Sequence, residues 1–132
     1  MKNLFFLGLI VCFLSSCIEK IDTKALTNTQ WELSELPGTT LPTTAKATLN
    51  IADSLKIGGK SFCNSYGGQG EIKDNKLALK NIFSTKMFCE GTDAAEHAYL
   101  QALNQVDNAK IMDGKLHLFA ADKTLLVFTK VN

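Results

Sequence analysis

At 132 residues, with 45% hydrophobic and 20% charged side chains, the chain is long enough for one compact core and too short for two. Its 14 basic and 13 acidic residues nearly cancel, and every basic residue is Lys. A near-neutral chain without Arg has neither the electrostatic footprint for a phosphate backbone nor the bidentate reader of bases, which excludes nucleic acid as a partner. The composition also excludes a disordered tail.

Met1-Lys2-Asn3 is a short positive start to an apolar run, Leu4 to Leu14, that closes in Leu14-Ser15-Ser16-Cys17. The run is too short for a stop-transfer helix and suits the apolar region of a secretory signal. Small residues directly before a Cys form the pattern of a bacterial lipoprotein signal, in which the Cys is diacylated and becomes the first residue of the mature chain. The expected division is a signal over 1–16, a lipidated tether over 17–25 beginning at Cys17, and a domain over 26–132. The lipid makes the membrane a partner. Ile18, rather than Asp, follows the anchor, so outer-membrane attachment in the bacterial envelope is expected.

Cys12 leaves with the signal and Cys17 carries lipid, so Cys63 and Cys89 remain as the one pair in a compartment where disulfides persist. A bridge of that span stabilises by about 3–4 kcal/mol on the loop-entropy model. A redox pair would favour Cys-x-x-Cys, and a metal site would need two further close ligands. The expectation is a structural disulfide, with no metal and no cofactor.

From Trp31 the chain reads as short strands interrupted once by a helix. Trp31 and Leu33 begin the first strand, closed by Pro37-Gly38, and Thr39 to Ala45 is a loop. Ala47, Leu49 and Ile51 alternate next, before the Asp53-Ser54 turn. Gly58-Gly59 is expected to break the strand begun at Leu55, with Ser61 to Tyr66 continuing it. Gly67-Gly68-Gln69-Gly70 suits a bulge, and Asp74-Asn75 joins a hairpin between Glu71–Lys73 and Lys76–Leu79.

The helix is predicted from Asp93 as N-cap, with Glu96 placed like the partner in a capping box. Ala95, Ala98, Tyr99, Ala102, Leu103 and Val106 form its apolar face, with Glu96, His97, Gln101 and Asn104 turned away. Asp113-Gly114 is a type I′ hairpin signal, and Thr124 to Lys130 is the last strand. The fold class expected is α+β, mainly antiparallel: a small barrel-like or strongly curved sheet packed by one α-helix.

Leu26-Thr27-Asn28-Thr29-Gln30-Trp31-Glu32-Leu33, Cys63-Asn64-Ser65-Tyr66-Gly67-Gly68, Ser84-Thr85-Lys86-Met87-Phe88-Cys89 and Gly114-Lys115-Leu116-His117-Leu118 occur in an order that resembles the META-domain family, which includes heat-inducible envelope lipoproteins of the HslJ type. The resemblance covers Leu26 to Val131. It implies a small antiparallel barrel-like sheet with one helix, a role in envelope stress tolerance and no known catalysis. Phe62 is a departure, because the family commonly has Gly directly before the Cys.

No nucleophile is placed by motif, and Gly59-Lys60-Ser61 lacks the first glycine of a phosphate loop, Ser54 standing there. His97 and His117 read as surface histidines. One of Met87 and Phe88 is expected to pack inward and the other to be exposed. Asn64, Tyr66, Thr85 and Met87 are the candidate recognition residues, since both motifs meet across the disulfide. The functional expectation is a non-enzymatic envelope protein acting through protein or cell-wall contacts. The alternatives are a lipocalin-like carrier of a small apolar ligand, or an inhibitor of an envelope-attacking hydrolase using the Thr39–Thr44 loop. A monomer is expected, with the strand at Trp31 an edge where a second copy could pair.

Overall fold

The computed structural model of the chain describes residues 20–131, so the signal region and Cys17 lie outside the described residues. Alternating apolar and polar residues over short segments produce eight antiparallel strands: β1 (Thr29–Glu35), β2 (Thr48–Ile51), β3 (Lys56–Ser61), β4 (Asn64–Lys73), β5 (Lys76–Ser84), β6 (Asn108–Met112), β7 (Lys115–Ala120) and β8 (Lys123–Lys130). They form one sheet in the order β5-β4-β3-β2-β1-β8-β7-β6. The Trp31 strand is therefore central rather than an edge, because β8 returns from the far end of the chain to pair with it.

The sheet curls into a half-barrel. Its end strands come together where Leu77 N–H donates to the Asp107 carbonyl at 3.0 Å. Helix α2 (Asp93–Gln105) packs against β5 and β3 and inserts Ala95, Tyr99, Ala102 and Leu103 into the core. The mainly antiparallel α+β class with one long helix is what the structure shows. Where the sequence reads as a tether, Asp22 caps a helical turn, α1 (Thr23–Leu26), and Ile21 N–H donates to Asn75 Oδ1 at 2.8 Å.

Several local expectations are met. Asp74-Asn75 and Asp113-Gly114 are both hairpin turns with positive φ at the two central residues, as type I′ requires. The expected bulge is displaced to the partner strand: between Gly67 and Gln69 the register of β4 with β5 shifts because Asn81 and Ile82 of β5 both stand opposite Gly68, with Asn81 at φ +55°.

Others are corrected. Gly58-Gly59 does not break β3. Gly59 sits at φ +153° with the Thr48 backbone so close that a Cβ would overlap its carbonyl oxygen, so the glycine permits close strand packing rather than ending the strand. Ser61 to Tyr66 is not one strand either: Ser61 pairs with Asn64, leaving Phe62-Cys63 as a two-residue hairpin turn. Phe62 takes φ +75° in the position where such turns prefer glycine. Its ring is buried and meets Tyr99 edge-on, with centroids 6.1 Å apart. The burial offsets left-handed strain of about 1–2 kcal/mol.

Gly38 and Gly59 make a matched test, since both have positive φ but nothing lies within 4 Å of a Cβ added at Gly38. Gly38→Ala is expected to cost about 1 kcal/mol, and Gly59→Ala at least about 3 kcal/mol because the Thr48 backbone must move. Urea unfolding of the two variants measures the difference.

Candidate functional site

The richest polar cluster joins three segments far apart in sequence. The Phe62-Cys63 turn leaves inward-facing donors, and the Glu96 carboxylate on the first turn of α2 accepts them. Its Oε2 receives Asn64 N–H at 2.9 Å, Cys63 N–H at 3.1 Å and the Ser61 hydroxyl at 3.0 Å. Its Oε1 receives the Asn64 side-chain amide. Ser61 and Asn64 are almost wholly buried, and among the described residues no buried side-chain polar atom lacks a partner. The helix N-terminus further favours a negative group here.

Asn64 passes the restraint on. Its Oδ1 accepts Met87 N–H at 2.7 Å and the Thr85 hydroxyl at 2.9 Å, and its Nδ2 donates to the Met87 carbonyl at 3.1 Å. Thr85 also pairs with Ser65, its N–H donating to the Ser65 carbonyl at 3.0 Å and its Oγ1 accepting Ser65 N–H at 3.1 Å. The Cys63–Cys89 disulfide, with Cα atoms 5.7 Å apart, closes the same assembly.

The candidate recognition residues thus separate. Asn64 and Tyr66 are buried and internally bonded, whereas Thr85 is exposed and Met87 is 59% exposed. Met87 and Phe88 both face solvent, Phe88 at 79%, so neither packs inward as expected. The cause is the bracing: the disulfide and the Asn64 amide hold the backbone, leaving the side chains on the outside.

Glu96 is the residue that sequence reasoning missed. Its spacing places it on the polar face and in a capping box, but Thr92 is the N-cap, without a side-chain cap bond. The available signal was phase: Glu96 lies three and seven residues before Tyr99 and Leu103, both fully buried, and therefore on the flank of the core-facing stripe.

Beside this cluster, the Thr48 carbonyl accepts the Tyr66 hydroxyl at 2.7 Å and the Tyr99 hydroxyl at 3.2 Å, and the two hydroxyls meet at 2.7 Å. Burial pushes both phenols well above their usual range; for Tyr99 the neighbouring Tyr66 adds to the shift, while for Tyr66 its bond to Tyr99 opposes it. Tyr99 also meets Tyr66 and Phe128 edge-on, at centroid distances of 5.6 and 6.3 Å.

Elsewhere the chemistry is sparse. His97 is exposed, and His117 stacks on Phe119 with centroids 6.1 Å apart. No group of three or more His, Cys, Asp or Glu among the described residues could hold a metal. The apolar interior keeps a void of about 10 Å³ between Leu49, Ile57, Leu77, Leu79 and Leu118, at the limit for one water. A groove of about 1090 Å³ lies open to solvent where the chain enters the domain, with Lys20, Asp74, Lys76, Asp107 and Asp122 along its walls.

The META domain family model matches residues 24–132. The chain belongs to that family. Two solved structures share the fold of this META domain. One, an NMR structure of a protein from Burkholderia xenovorans, has a TM-score of 0.68 and 29% identity over 83% of this chain and 86% of its own. The other, also an NMR structure, has a TM-score of 0.66 and 18% identity over 83% of this chain and 94% of its own. No curated protein matches the chain. Nothing in the family description or the neighbours' titles indicates catalysis.

Removal of the hub carboxylate should destabilise this META domain strongly. Glu96→Ala strands the Cys63 and Asn64 donors and is expected to cost about 3 kcal/mol or more. Glu96→Gln keeps one acceptor oxygen but turns a donor toward Asn64, for an expected cost of about 1–2 kcal/mol. Urea midpoints at neutral pH order the three proteins.

Alkali provides a second check. An unfolded tyrosine ionises near pH 10, whereas both buried phenols are held neutral in the fold. Their contribution is therefore complete below about pH 10 and is lost as pH rises further. Stability followed from pH 8 to 11.5 should fall at the upper end, and less steeply in Tyr66→Phe.

Proposed function

We propose that the chain is a non-enzymatic, lipid-anchored protein of the bacterial cell envelope that acts in stress tolerance through contacts with another envelope component. The observation that carries the anchoring is the apolar run ending in Leu14-Ser15-Ser16-Cys17. A disulfide between the other two cysteines of the mature chain suits the oxidising compartment to which such a signal leads. Ile18 after the lipidated residue supports the outer membrane.

Action through contacts follows from what the META domain presents. Its buried polar groups satisfy one another, and its most distinctive surface is the braced stretch with Met87 and Phe88 outward. The filled interior gives the carrier reading no support. The inhibitor reading gains from the same stretch, with Thr85–Cys89 taking the place of the Thr39–Thr44 loop.

Mass spectrometry of the membrane-extracted protein should find a mature chain that begins at a diacylated Cys17. Cys17→Ser should move the protein out of the membrane fraction; an unmodified Cys17 with residues 1–16 still attached would refute the anchor. Deletion of the gene should raise sensitivity to heat or to large hydrophobic antibiotics, and unchanged survival would refute the stress role separately.

A further inference from the structure

Thr85 to Cys89 leaves β5 as a run without turn, bend or positive φ, exposed from Thr85 to Phe88 and half-buried at Cys89. Its backbone bonding alternates. Thr85 N–H goes to Ser65, and both Met87 backbone groups go to the Asn64 side chain. Between and after them, Lys86 and Phe88 have no hydrogen-bond partner for N–H or C=O among the described residues. In an extended strand successive residues turn these groups to opposite sides. One side of the segment is therefore bolted to the domain, and the other offers a short unpaired strand edge carrying Phe88.

An endopeptidase cleft recognises this arrangement. It takes its substrate as an added strand, paired through backbone groups of alternate residues, with a side chain in a specificity pocket. Rigid presentation removes most of the ordering cost of such binding. We propose that Thr85–Cys89 is a substrate-like segment that docks in the active-site cleft of a serine endopeptidase accepting a large aromatic residue, with Phe88 in its specificity pocket.

Attack of the serine on the Phe88 carbonyl would form an acyl-enzyme and free the amine of Cys89, which takes up the proton. The Cys63–Cys89 bridge and the Asn64 clamp keep that amine beside the ester, so re-formation of the peptide bond competes with hydrolysis. The segment is also accessible on an anchored protein. The chain enters at Ile21 beside Asn75, and β5 runs from Lys76 to Ser84, roughly 25 Å away from that end. This inference rests on the contact-mediated role above and names its partner, but it requires neither the anchor nor the stress phenotype.

The test is titration of the oxidised, detergent-solubilised full chain against chymotrypsin turning over a small chromogenic substrate. Competitive inhibition with a Ki at or below about 1 μM is expected. Phe88→Ala should weaken it about 30-fold or more, with an unchanged melting temperature because the side chain is exposed. Phe88→Lys should transfer inhibition to trypsin. Absence of inhibition by the folded, oxidised chain would overturn the proposal, as would rapid cleavage after Phe88 or undiminished inhibition by Phe88→Ala. Fractionation of Cys17→Ser reads the anchoring independently, so the two failures are distinguishable.

Discussion

One carboxylate organises the end of the half-barrel where sheet, helix and disulfide meet. A two-residue turn at Phe62-Cys63 aims backbone donors inward, and a helix N-terminus arrives at the same place with donors of its own. Only an acceptor with several lone pairs can satisfy the turn there, and an ionised carboxylate supplies about four. Glu96 accepts from Ser61, Cys63 and Asn64 and so ties α2 to the β3–β4 turn. Through Asn64 the restraint continues to Thr85 and Met87. Without that acceptor, the Cys63 and Asn64 donors would be left without the partner that the turn aims them at.

A second constraint governs the interior. The Thr48 carbonyl receives two tyrosine hydroxyls, and Gly59 lets the neighbouring strand press against the same residue. Tyr99 is thereby fixed among Phe62, Tyr66 and Phe128. The aromatic side chains fill the curve of the sheet, and the void left elsewhere is water-sized. Among the described residues, the cavity between Leu49, Ile57, Leu77, Leu79 and Leu118 holds at most about one water, and the larger space is the groove open to solvent beside Lys20 and Asp122.

Features that depend on local backbone preference were legible from the chain. Asp-Asn and Asp-Gly turns favour positive φ, and apolar spacing marks α2, because both signals lie within a few residues of their effect. Features set by distant partners were not. Phe62 adopts a glycine-like φ because its ring is paid for by contact with Tyr99, which stands far along the chain. The Trp31 strand is central because β8 pairs with it, a long-range choice that no pattern around Trp31 encodes. Glu96 looked like a solvated charge because its partners are backbone donors, which have no residue type to read. The cysteine pair was legible as a bridge, but the direction in which it would turn Met87 and Phe88 was not.

The double bracing of Thr85–Cys89 exceeds what loop closure needs. The disulfide alone ties Cys89 to the β3–β4 turn and restricts the unfolded chain by about 3–4 kcal/mol. The Asn64 amide then adds bonds to both backbone groups of Met87, which fix the orientation of the strand rather than its proximity. Exposing Phe88 and Met87 forgoes the burial that either side chain would gain in the core, on the order of 1.5–3 kcal/mol each. A surface selected only for stability would hide them or replace them with polar residues. Orientation held on one side, with unpaired Lys86 and Phe88 backbone groups and an exposed aromatic side chain on the other, is the geometry on which the proposed docking rests.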